Sequence, residues 1–299
     1  MKLSAYFLTA FAALSFGLGA QAELKVATLH PLLGDLARQV GGTNVQVVDL
    51  LKPGMDAHHF EPTAKDLASI KGISLVLASG KHLESYLDKL SDSLAGTAKI
   101  IEVGKTIPSI KIEAGQELFM CCPAHSSGGI DPHWWHSAEN MKRAARVIAD
   151  AFSEADPANK AAYDSNAEVA RQRLTEVKNW AQQQISQIPK SDRKLVTAHA
   201  AFGYFCKEYG FKSLPLLGLS REDEASPKYI AEAVKTIRAN SIRAVFPEDQ
   251  ANPKVISEIT RETGVKVAKP LIADGTSQNA ATFDAMLRYN VGVIVEYLK

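Results

Sequence analysis

The sequence predicts an α/β protein of two lobes, each a mostly parallel sheet flanked by helices, joined by one long rigid helix. Three observations predict it. Short apolar runs alternate with helical patterns from Leu24 to Val103, and the same rhythm returns after Lys194. Between them lies an extended helical stretch that Pro189 closes. Strand–helix alternation favours parallel sheets covered on both faces, because each crossover lays a helix on the sheet.

Taken in order, the chain opens on an export signal. Met1-Lys2 is a short positive start, Leu3 to Leu18 is almost wholly apolar, and Ala20-Gln21-Ala22 has the small-x-small form of a signal-peptidase site. The apolar run is too short and too weakly flanked to span a membrane. Cleavage is expected after Ala22. With no cysteine at that point, no lipid anchor is expected. The mature chain is therefore placed in a bacterial periplasm.

The N-terminal lobe, 23–155, reads as strand Leu24–Thr28, helix Pro31–Val40 closed by Gly41-Gly42, strand Val45–Leu51, a short helix Asp66–Ile70 and strand Ser74–Ala78. A helix around Leu83–Leu90, strand Lys99–Val103 and helix Ala138–Ala155 follow. Asp156-Pro157 is a cap followed by proline at the first helical position. The connector, 156–189, is then a polar helix with Val169, Leu174, Val177 and Trp180 at helical spacing. About 31 residues would reach roughly 46 Å at about 1.5 Å per residue. The C-terminal lobe, 190–299, alternates strands at Lys194–Ala198, Leu214–Leu217, Ala244–Phe246 and Val265–Ala268 with helices at Phe202–Tyr209, Lys228–Ala239, Pro253–Thr263 and Phe283–Leu298.

Composition narrows the function. The chain has 299 residues, 34 Lys and Arg against 33 Asp and Glu, and a formal net charge of +1. Its basic residues are scattered, so there is no stripe for nucleic acid, and no second apolar stretch suits a membrane. Three cysteines are too few for a disulfide scaffold at this length.

What remains is metal chemistry. Neutral imidazole is the commonest metal ligand among side chains. His133 lies behind Pro132, whose ring restrains the approach. His58 follows the second strand in a loop, His199 comes one residue after a strand ending at Ala198, and Asp274 follows the last strand. In open α/β sheets, ligands bind beyond the carboxyl ends of the strands. A cleft between lobes would gather two of these groups from each side. The plainer reading makes each histidine a packing or surface residue and Asp274-Gly275 a turn. His30, His59, His82 and His136 are assigned to that structural class.

The wording of these segments carries a resemblance. Pro53-Gly54-Met55-Asp56-Ala57-His58-His59-Phe60-Glu61-Pro62-Thr63, Asp131-Pro132-His133-Trp134-Trp135, His199-Ala200-Ala201-Phe202-Gly203-Tyr204-Phe205 and Pro270-Leu271-Ile272-Ala273-Asp274-Gly275 occur in order. They resemble the four ligand motifs of the metal-binding solute-binding proteins of bacterial ABC transporters, the cluster A-I zinc and manganese receptors. Ser226-Pro227-Lys228, Ala244-Val245-Phe246-Pro247-Glu248 and Glu262-Thr263-Gly264-Val265-Lys266-Val267 extend the likeness across the mature chain.

The resemblance implies two lobes joined by one long helix and an ion held by His58, His133, His199 and Asp274. It implies a monomer that captures zinc and hands it to an ABC permease, without chemistry. Three imidazoles and one carboxylate suit four-coordinate zinc. Manganese carriers of the family typically hold a carboxylate where His199 stands, which favours the zinc type. Glu61, Asp131 and Glu248 would fix histidine tautomers. Ala57 departs from the proline common there, and His59 competes with His58 as ligand. The Cys121-Cys122 and His125 segment stands where zinc receptors carry a mobile loop; it is read as a second metal site, a plain loop, or a disulfide to Cys206. Other classes are a manganese, iron or copper carrier, a zinc enzyme and an adhesin. A zinc enzyme would need an open coordination position that Asp274 fills.

Overall fold

The computed structural model describes residues 23–112, 129–215, 227–248 and 253–299. The expected signal segment with its cleavage after Ala22, and the Cys121, Cys122 and His125 segment, lie outside the described residues.

The N-terminal half is built on four strands, β1 (Leu24–Thr28), β2 (Val45–Asp49), β3 (Leu75–Ala78) and β4 (Lys99–Glu102), all parallel in the order β2-β1-β3-β4. Between them run α1 (Pro31–Gly41), α2 (Ala64–Ser69) and α3 (Leu87–Leu94). Parallel order requires crossovers, and the helices supply them. β3 is buried on both faces, as its run Leu75-Val76-Leu77-Ala78 requires. Pro31 starts α1 because its missing N–H is an orphan there anyway, and the His30 ring accepts from Leu32 N as the cap.

Then come α4 (Ala138–Ala155) and α5 (Lys160–Ile185). Ser137 caps α4 by accepting from Asn140 N, and Met141, Ala144, Ala145, Ile148 and Phe152 form its buried stripe. The connecting helix is shorter than the sequence predicts. Pro157–Asn159 makes a 3₁₀ turn instead, fixed by the Asp156 carboxylate, which accepts from Asn159 Nδ2 and Tyr163 Oη. α5 keeps 26 residues, or about 39 Å at 1.5 Å per residue. Its buried face, Tyr163, Ala167, Ala170, Leu174, Val177, Ala181 and Ile185, recurs at steps of three or four and packs on α1, α4 and α9 (Phe283–Leu298).

The C-terminal half has two separate pairs of short parallel strands, β5 (Lys194–Leu195) with β6 (Lys212–Ser213) and β7 (Ala244–Val245) with β8 (Lys266–Val267). A bridge from Thr197 to Phe246 links the pairs. Helices α6 (Gly203–Tyr209), α7 (Pro227–Ala239) and α8 (Pro253–Thr263) flank them. The strand expected at Leu214–Leu217 pairs earlier, at Lys212–Ser213, and its last two residues lie outside the described set. The helix expected at Leu83–Leu90 starts later, because Glu84 turns back to accept from Ser79 N and Gly80 N while Lys81 and His82 adopt positive φ.

One apolar core runs from β1 and α1 through α4 and α5 to α6 and α9, so it joins both halves. A smaller core of Val196, Ala233, Ile237, Val245, Val255 and Ile259 sits under α7 and α8. Among the described residues, no helix is long and apolar enough to cross a membrane.

Candidate metal centre

His58, His199 and Asp274 each stand beyond the carboxyl end of a parallel strand, and His133 joins them from the connection into α4. His58 comes from the loop after β2, His133 from the turn entering α4, His199 from the turn after β5 and Asp274 from the segment after β8. The fold brings all four together, with their nearest candidate ligand atoms within 4.8 Å of one another. His58 Nε2 lies 3.1 Å from His133 Nε2, which lies 3.3 Å from His199 Nε2. Asp274 Oδ1 is 3.3, 3.5 and 3.7 Å from the Nε2 atoms of His58, His199 and His133.

Two imidazoles are aimed by the same device. The Asp131 carboxylate accepts from His133 N at 2.9 Å and from its Nδ1 at 2.8 Å. The Glu248 carboxylate accepts from His199 N at 3.2 Å and from its Nδ1 at 2.5 Å. With Nδ1 donating outward, Nε2 of each ring faces the cluster, where a cation would take its lone pair after displacing any proton held there.

The backbone around the cluster is pinned across the crevice. Trp135 Nε1 and His136 Nε2 both donate to Ala273 O, at 3.0 and 2.8 Å, immediately before Asp274. From α9, Asn290 accepts from Ile272 N and donates to Ile272 O. Tyr204 Oη donates to Asp131 O and accepts from Ile110 N. Gly54 N donates to Thr276 O, tying the His58 loop to the opposite side. Gly54, Met55, Glu248 and Thr276 border a shallow cavity over Asp274. The carboxylate of Asp274 is the most open of the four groups, at 20% exposure against 0–9% for the imidazoles.

Electrostatics set different protonation states on neighbouring rings. Burial, reinforced by His58 and His199, holds His133 well below the usual imidazole range, so it is neutral. Burial also opposes charge on His199, yet Glu248 and Asp274 outweigh it and raise its pKa well above that range. Burial opposes ionisation of Asp274, but His199 and His58 overcome it and hold the carboxyl well below the carboxylate range.

Of the other histidines, His59 is exposed and pairs with Asp56, and His82 is exposed. His58 is the one of the 58–59 pair that turns inward. His136 and His30 are buried, with pKa values pushed by burial to about 4 and about 3. Glu61, expected among the supporting groups, stands exposed and outside the cluster; Asp131 and Glu248 take that part. Cys206 is buried and without a disulfide among the described residues; Cys121 and Cys122, its partners in one reading, lie outside them. Sequence reasoning missed Gly203, whose bare Cα makes room for Asp131: a Cβ there would stand 2.5 Å from Asp131 Oδ2. A glycine four residues after His199 in a helical pattern was the available signal.

Parallel sheets on two sides of a buried cluster of three imidazoles and a carboxylate define an ion-binding receptor of the crevice type. The family described as ZnuA, zinc-uptake complex component A, periplasmic, matches residues 26–297, and the chain belongs to it. It is thus a metal-binding substrate-binding component of an ABC transporter. The manganese-binding lipoprotein MntA of Bacillus subtilis (strain 168) is 30% identical over 293 residues, covering 95% of this chain and 93% of that protein. The iron-binding protein YfeA of Yersinia pestis is 29% identical over 255 residues, covering 85% and 79%. The Mn-bound periplasmic metal binding protein from candidatus Liberibacter asiaticus superposes with a TM-score of 0.81 at 25% identity, covering 93% of this chain and 100% of that one. The periplasmic zinc binding protein TroA from Treponema pallidum shares the fold, with a TM-score of 0.79 at 24% identity over 92% and 99% of the two chains.

Proposed function

We propose that the protein is a periplasmic zinc receptor, which captures the ion on His58, His133, His199 and Asp274 and delivers it as a monomer to an ABC permease. The observation that carries this reading is the spacing of the ligand atoms. A tetrahedral ion with bonds of about 2.0–2.1 Å sets its ligand atoms about 3.3–3.4 Å apart. Five of the six edges run from 3.1 to 3.7 Å around that value, and all four atoms lie within 4.8 Å of one another. Three nitrogens and one oxygen suit zinc better than manganese, which prefers more oxygen ligands. Residues 23–155 and 190–299 act in this reading as two lobes on the connector 156–189, and the mature chain begins after Ala22. At nanomolar affinity, binding is worth about 12 kcal/mol, so release needs the permease to open the crevice.

The second reading is a manganese or iron carrier, favoured by the names of relatives such as MntA and YfeA. A catalytic zinc site is disfavoured because Asp274 takes the position a reacting water needs. The test is a titration of metal-stripped mature protein with zinc and manganese, counting bound metal by mass spectrometry. One tight zinc per chain with manganese much weaker is the expected result. Tight manganese and weak zinc would transfer the assignment to the second reading. Two zinc equivalents would bring in Cys121, Cys122 and His125. No tight zinc or manganese would refute the four-ligand site.

A further inference from the structure

His30 is one of the most deeply buried polar side chains in the protein, and nothing in the capture scheme above uses it. Its Nδ1 accepts from Leu32 N at 3.4 Å as the cap of α1. An acceptor at Nδ1 in a neutral ring places the one proton on Nε2. Burial drives the pKa down to about 3, so the ring is indeed neutral at any periplasmic pH. That Nε2–H meets no acceptor among the described residues. A buried donor left unmet is costly, and native proteins seldom keep one without a use.

Its location points to the use. The His30 ring packs on Trp135 with centroids 4.3 Å apart, and Nε2 stands 3.8 Å from where a Cβ on residue 275 would be. Residue 275 is glycine with φ +136°, and any Cβ there would also press on Pro31. The donor therefore faces the backbone just after Asp274 across a space kept free of side chain. Asp274 is the one anion acting on the ring. Meanwhile the three imidazoles of the cluster all address the same Asp274 oxygen, Oδ1. The second oxygen of Asp274 is left to be claimed either by the ion or by a protein donor.

We propose that His30 is a positioning residue for ion selectivity: its Nε2–H, which has no acceptor among the described residues, takes the second oxygen of Asp274 once that carboxylate turns toward the ion, so Asp274 binds the ion through Oδ1 alone. One-oxygen binding keeps the site at four ligands, which suits zinc. Freeing the second oxygen allows a bidentate carboxylate and a five-coordinate site, which favours manganese. The inference rests on the reading of His58, His133, His199 and Asp274 as the ion site.

The test compares mature wild-type protein with His30→Asn and His30→Gln in zinc–manganese competition, with coordination numbers from X-ray absorption on the zinc-loaded proteins. Asn keeps an oxygen to cap α1 but loses the distant N–H; Gln restores a longer amide donor. The expected result is a zinc-over-manganese ratio lowered about tenfold or more in His30→Asn, the usual scale of a supporting hydrogen bond, with a fifth ligand at zinc and partial recovery in His30→Gln. An unchanged ratio, or equal losses for both metals, would overturn the inference and leave the site assignment standing. Wild-type protein that binds neither metal would overturn both. Should His30→Asn fail to fold, the zinc-loaded wild type still decides. Its His30 Nε2 proton is expected as a slowly exchanging, downfield NMR signal, and a freely exchanging proton would refute the bond.

Discussion

Asp131 and Gly203 meet across the crevice with nothing to spare: the carboxylate that aims His133 lies where a side chain on residue 203 would begin. One half of the molecule thus limits how a candidate ligand of the other half is held. Gly203→Ala must displace Asp131 or tilt α6, since a contact of 2.5 Å cannot persist. The expected cost is about 1–3 kcal/mol in folding stability and about 10–100-fold in metal affinity through the loss of His133 orientation. Thermal unfolding of the metal-free protein and a zinc titration read the two separately. An affinity equal to wild type would show that Asp131 is not needed to orient His133.

The unequal protonation of His133 and His199 predicts a proton count. His133 is held neutral, while His199 keeps its proton near neutral pH between Glu248 and Asp274. An ion needs the Nε2 lone pair of both, so capture must expel the His199 proton. Affinity should rise with pH up to the raised His199 value, and about one proton should be released per ion. Calorimetry in buffers of different ionisation heat measures that count, and zero would contradict the charge assignment. Without metal the sign reverses. The charged His199 stabilises the ion-free fold, fully below the unfolded value of about 6.5, and that contribution fades as pH rises through the folded value.

His58 and His59 form a sharper test of which ring serves the ion. His58 is buried in the cluster, whereas His59 is exposed against Asp56. His58→Ala should lower zinc affinity about a hundredfold or more, as loss of a ligand does at the upper end of supporting-group effects. His59→Ala should stay within about 0.5 kcal/mol of wild type, like other surface changes. Titrations of the two variants decide between them, and a larger loss in His59→Ala would exchange their roles.

How much of this was legible in the sequence depends on the range of the interaction. Helices that open on a proline, such as α1 at Pro31 and α8 at Pro253, were readable because the signal is local. The start of α3 was not, because the Glu84 carboxylate competes for the backbone of Ser79 and Gly80. The 3₁₀ turn before α5 likewise comes from the Asp156 side chain, which a cap-then-proline pattern does not reveal. The four candidate ligands could be selected because each sits in a distinctive motif, three of them after a strand and His133 behind a proline at the entry to a helix. Their partners were visible only where the motif contained them, as with Asp131. Gly203 and the shared hold of Trp135 and His136 on Ala273 depend on contacts between distant segments, and no local pattern encodes those.

His199 is where ion preference should turn. Replacing it with Glu puts a third carboxylate beside Asp274 and Glu248, so the site gains oxygen donors and loses one of three nitrogens. Oxygen-rich sites suit manganese, and nitrogen-rich tetrahedral sites suit zinc. The same change removes the Nδ1–H that Glu248 accepts and sets like charges close together, which weakens the empty site at neutral pH. His199→Glu should therefore bind zinc less tightly in absolute terms and shift the zinc-to-manganese ratio toward manganese by about tenfold or more, or about 1.4 kcal/mol. The ratio, measured by competition in one tube, is the informative quantity, because a general loosening of the crevice would weaken both metals together. A ratio equal to wild type would mean that the third ligand does not set selectivity, and the zinc assignment would lose its main chemical support.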